Sequence, residues 1–86
     1  MSEGLSEIVI ASIDRAKDRI DWKPSEDIQS AVHGRYPQGA EIIISPNPDR
    51  TEFVAVAKLG ERMFSTQGFV RCPILKRIYR HAGGEL

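Results

Sequence analysis

Two runs, Ala40-Glu41-Ile42-Ile43-Ile44-Ser45 and Glu52-Phe53-Val54-Ala55-Val56-Ala57-Lys58-Leu59, decide the fold class, with Pro46-Asn47-Pro48-Asp49-Arg50 opening the stretch between them. Both runs are rich in β-branched residues, and the proline- and asparagine-containing break favours neither helix nor strand, so they predict an antiparallel hairpin. Gly60 with Glu61 turns the chain once more into residues 62–65, the expected third strand, and Ser65, Thr66, Gln67 and Gly68 read as a loop. Side chains alternate along a strand, which puts Val54 and Val56 on one face and Phe53, Ala55, Ala57 and Leu59 on the other. Both faces are apolar, and both must leave water. Either a C-terminal helix covers the second face and completes a monomer, or a second copy of the chain buries it.

Upstream, Leu5, Val9, Ile13, Ala16 and Ile20 recur at the three- and four-residue spacing of one helical face. They predict a helix over 5–20, with Asp14, Arg15, Lys17, Asp18, Arg19 and Asp21 on its solvated side. Trp22-Lys23-Pro24 ends that pattern, because proline disfavours helical geometry in the residue before it. Ser25 then reads as the N-cap of a second helix over 26–33, with Ile28, Ala31 and Val32 inward and Gly34 as its left-handed stop.

Downstream, Pro73 suits the first position of a helix and Gly83-Gly84 its end, giving a helix over 73–82. Projected at 100° per residue, Ile74, Ile78, Ala82, Leu75 and Tyr79 fall within about 140° of arc. Lys76, Arg77 and Arg80 fall opposite, with His81 on the boundary. The expected architecture is therefore α+β: a single domain over 1–86 with tails at 1–4 and 83–86, two N-terminal helices, a three-stranded antiparallel sheet and a C-terminal amphipathic basic helix.

Composition narrows the function. The chain has 86 residues, 12 Lys and Arg against 12 Asp and Glu, 41% hydrophobic and 28% charged residues, the profile of an ordinary folded domain. So short a chain has little interior for a large cofactor beside its core, and none is expected. Cys72 is the only cysteine, so neither an intrachain disulfide nor a multi-thiolate zinc site can form. His33 and His81 have no second ligand at a recognised metal spacing. The start MSEGLSE is acidic and lacks the features of a secretory signal, and no apolar run approaches a membrane span, so the expectation is a cytoplasmic protein without membrane contact.

Overall neutrality conceals an asymmetry: residues 1–49 carry nine acids and five bases, and residues 50–86 carry three acids and seven bases. Arg62, Arg71, Lys76, Arg77 and Arg80 follow one another with no acid between them. Arg71, Lys76, Arg77, Tyr79 and Arg80 thus form the candidate contact group, weighed against a ridge that merely solvates the helix and complements its dipole. The function expected is that of a small non-enzymatic binding or regulatory module acting by protein–protein contact with an acidic partner. Its size fits an inhibitor or adaptor of a larger prokaryotic or phage machine. Two alternatives compete: a nucleic-acid binder using the same ridge, and a thiol-dependent enzyme centred on Cys72, whose place before a helix beside Arg71 favours a thiolate.

Overall fold

A computed structural model describes residues 4–86, and in it the expected hairpin is the middle of a larger sheet. Strands β3 (Glu41–Pro46) and β4 (Phe53–Leu59) pair antiparallel with Ile44 opposite Ala55. Asn47 closes their connection by accepting from the backbone N–H groups of Thr51 at 2.9 Å and Glu52 at 3.1 Å. Gly60, at φ +62°, supplies the left-handed residue of a two-residue turn into β5 (Arg62–Ser65), the third strand expected from sequence.

On the other side of β3 the expectation fails. The segment assigned to a second helix holds β2 (Val32–Arg35), which pairs with β3, and β1 (Asp21–Pro24) pairs with β2. The sheet is a five-stranded antiparallel meander in the order β1-β2-β3-β4-β5, not a three-stranded one, and the described residues form two α-helices rather than three. Ser25 does accept from the N–H groups of Asp27 and Ile28, at 3.3 and 3.1 Å, as a cap would. Those bonds close a loop instead of starting a helix. Ser30 turns left-handed at φ +66°, and the N–H of Ser25 bonds the carbonyl of Ala31 at 2.9 Å, which squares the chain for pairing.

Gly34 is equally reassigned. It faces Trp22 across the β1–β2 ladder, and a Cβ there would lie 2.5–2.7 Å from the indole ring and an Ile20 methyl carbon. The glycine is present because the ring lies over its backbone, not because a helix stops. Trp22 in turn donates its indole N–H to the carbonyl of Lys17 at 2.9 Å, tying β1 to the end of the first helix.

That helix, α1 (Glu7–Ala16), starts at Ser6, whose hydroxyl accepts from the N–H of Val9 at 3.2 Å. It passes into a 3-10 turn at Lys17–Arg19, so Ile20 reaches the core from extended chain rather than from the helical stripe expected to run to residue 20. Helix α2 (Pro73–His81) carries Pro73 in its first turn. It ends in a Schellman arrangement: Gly83 is at φ +93°, its N–H bonds the Arg80 carbonyl, and the Gly84 N–H bonds the Tyr79 carbonyl at 2.9 Å. Of the expected tails, residues 1–3 lie outside the described residues.

Both helices lie on the same face of the sheet. Ile10 and Ile13 of α1 and Leu75, Ile78 and Tyr79 of α2 share one buried cluster with Val32, Ile42, Ile44, Phe53, Ala55 and Ala57. Burying each of the larger side chains contributes about 1.5–3 kcal/mol. Helix α2 therefore does not cover the second face, and Ile43, Val54 and Val56 stay half-buried there. Their neighbours make that face tolerable in water: along one row Asp21, Arg35, Glu41 and Lys58 alternate in sign across four paired strands. Arg35 donates to Glu41 Oε1 at 2.9 Å and holds that carboxyl below its ordinary range.

Gly34→Ala is expected to destabilise the domain by about 1–3 kcal/mol, since the added methyl must displace a ring held by its own hydrogen bond. Urea unfolding followed by Trp22 fluorescence measures it; an unchanged midpoint would contradict the close packing of ring on backbone.

Candidate functional site

The five residues of the candidate contact group separate into three environments. Tyr79 is fully buried, its ring tilted against Phe53 with centroids 5.2 Å apart, and its hydroxyl donates to the carbonyl of Ser30. It is a strut between α2, β4 and the β1–β2 loop, not a surface residue. The helical projection that places it among the apolar side chains also explains this: at the edge of the stripe, a long ring still reaches the core.

Arg77 is exposed but engaged. Its guanidinium lies 3.2 Å from Asp14 Oδ2, and Lys17 Nζ lies 3.2 Å from Oδ1 of the same carboxylate. One turn further along α2, His81 Nε2 lies 3.3 Å from Asp18 Oδ1. The acids of the N-terminal half thus meet one edge of the basic ridge, where α1 and its 3-10 turn run beside α2.

Arg71, Lys76 and Arg80 form the third group. All are exposed, and none has an ion pair among the described residues. Lys76 and Arg80 are four residues apart, so they stand one turn apart on the same side of α2, with Arg71 just ahead of the helix. The core contacts of Leu75, Ile78 and Tyr79 hold this side of α2 outward, so the cations are presented by a fixed helix. Arg62 is elsewhere: its guanidinium lies 5.2 Å from the ring centre of Phe64 on β5.

Cys72 occupies the N-cap position of α2 at φ −134°, half-buried against the core, and its side chain makes no capping bond. Neither histidine is beside it. His81 is at the far end of α2, about 13 Å along the axis, and His33 lies on the helix-free face of the sheet, 3.6 Å from Glu41. No group of three or more His, Cys, Asp or Glu is assembled to hold a metal ion, and no helix is long and apolar enough to cross a membrane, among the described residues.

One feature escapes the motif reading: an apolar groove of about 290 Å³ beside α1, with Ile8 and Leu59 on its rims. Its signal in the sequence is Ile8 itself, an isoleucine off the stripe of Leu5, Val9 and Ile13.

Tyr79→Phe keeps the ring packing and removes the bond to Ser30, which is expected to cost about 1 kcal/mol. Hydrogen exchange in residues 25–31 should accelerate more than exchange in β3 and β4; a uniform change would show that the hydroxyl does not pin this loop.

Comparison of the chain with protein-family models, with curated proteins and with solved structures finds no match in any of the three.

Proposed function

We propose that this chain is a non-enzymatic binding module that acts by protein–protein contact, with Arg71, Lys76 and Arg80 as its contact surface and an acidic protein surface as its partner. The observation that carries the reading is the division of the polar side chains of α2: Arg77 and His81 lie against carboxylates of the same chain, while Lys76 and Arg80 face none among the described residues. Two cations at fixed spacing on a helix whose other side is locked in the core lose little freedom on meeting a carboxylate pair, and their field speeds encounter with an acidic surface.

Nucleic acid is the weaker reading. Three open cations neutralise few phosphates, and affinity for a polyanion grows with each phosphate contact. The chain is neutral overall, with 12 charges of each sign, so no long-range attraction reinforces the local one. A thiol enzyme has less support still, since Cys72 makes no contact with a base among the described residues and packs against the core.

The test is a titration monitored by backbone NMR, with an acidic peptide rich in Glu and Asp in one series and mixed-sequence single- and double-stranded DNA and RNA in another. The acidic peptide is expected to shift Arg71, Lys76 and Arg80 and their neighbours. Lys76→Glu with Arg80→Glu should abolish binding without unfolding, because both side chains are exposed. Asp14→Asn, which releases Arg77, should strengthen binding about two- to fivefold. Tight binding to nucleic acid with a steep salt dependence, and none to the peptide, would replace this reading with the alternative.

A further inference from the structure

The apolar groove lies on the side of α1 away from the α2 cations and is independent of the reading above. Ile8 and Ser12 of α1 form one wall, Tyr36 and Leu59 rise from the strand ends, and Ala40 and Ala57 lie at the base. The groove's volume of about 290 Å³ accepts aliphatic side chains rather than a cofactor. Ile8 stands at its rim 77% exposed, the most exposed of the large apolar side chains described, and Leu59 is 42% exposed. An apolar knob next to an apolar hole on one patch is the condition for a closed two-fold contact, in which each copy fills the hollow of the other.

The charges on α1 point to the same occupant. Glu7 is in its first turn and Arg15 in its last, and neither has an ion-pair partner among the described residues. Their midpoint in the sequence is Ala11, a small residue that lets two helices approach closely. Arg15 folds back onto the Ser12 hydroxyl at 3.3 Å, and Ser12 donates to the Ile8 carbonyl at 2.9 Å, so the polar groups of this face are turned into the helix and the Ile8 carbons stand out. Two α1 helices crossing antiparallel at Ala11 set Glu7 of each copy against Arg15 of the other. The same crossing brings Ile8 of each to the level of Asp14 of the other, one residue beyond Ile13, which lines the groove. Antiparallel helix dipoles and zero net charge oppose none of this.

We infer that the chain forms a two-fold dimer through antiparallel α1 helices, with Ile8 of each copy seated in the groove between α1 and the strand ends of the other. The test is sedimentation equilibrium over a concentration series, with backbone NMR to establish that each variant is folded. The wild-type mass is expected to rise from monomer to dimer with concentration, and Ile8→Glu, at an exposed position, to remain monomeric throughout. Glu7→Arg and Arg15→Glu are each expected to weaken the dimer about tenfold, since each sets like charges together at both symmetry-related contacts. An equimolar mixture of these two variants should recover wild-type affinity, because the mixed dimer has opposite charges at both. A wild-type protein that stays monomeric, a dimer indifferent to Ile8→Glu, or a mixture no tighter than its components would each overturn the proposal.

Discussion

The contact of Tyr79 with Phe53 joins parts of the chain that have no other reason to meet. Its ring fixes α2 on β4 in the middle of the sheet, and its hydroxyl satisfies the carbonyl of Ser30, in a loop whose backbone turns left-handed at that residue. The Gly83-Gly84 cap completes the arrangement from above, since a Cβ at Gly84 would collide with the same ring. The Tyr79 hydroxyl belongs to a fully buried residue, and a buried polar group without a partner costs about 1–3 kcal/mol, so this one bond ties the loop, the end of α2 and β4 together. With α2 placed in this way, Leu75 and Ile78 complete the core and the opposite side of the helix is left to solvent.

From that placement follows the distribution of charge. The chain is acidic in its first half and basic in its second, and folding lays α1 beside α2, where Asp14 and Asp18 meet Arg77 and His81. These contacts decide which cations of α2 remain open to a partner. The helix-free face of the sheet behaves differently. There Arg35 and Glu41 lie on neighbouring strands of one ladder, and the alternating row beside Ile43 and Val56 lets a partly apolar surface face water. The groove beside α1 has no such row, and Ile8 stands exposed on its rim.

The central hairpin, the turn at Gly60, the body of α1 and nearly the whole of α2 were legible because each rests on local chemistry: alternation, turn residues, helical spacing and a complete division of polar from apolar positions. The strands at 21–24 and 32–35 were not legible, and Ser25 shows why. A serine with free N–H groups two and three residues ahead makes the same bonds at the start of a helix and in a tight loop, so the local signal is shared by both outcomes. Gly34 carries the same ambiguity, since a helix stop and a seat for an aromatic ring both call for a missing side chain.

What the sequence by itself determined is what neighbouring residues can settle among themselves: the α+β class, the three strands from β3 to β5, the amphipathic α2 and the excess of basic residues in the second half. Only the tertiary structure decided that the sheet has five strands, that both helices share one face, that Tyr79 is a strut, and that within the candidate contact group Arg77 has an ion pair while Arg71, Lys76 and Arg80 have none among the described residues. The physical reason is range. Strand pairing, the seat of Trp22 on Gly34 and the meeting of Asp14 with Arg77 are contacts between distant parts of the chain, whose energy exists only once the fold has brought them together.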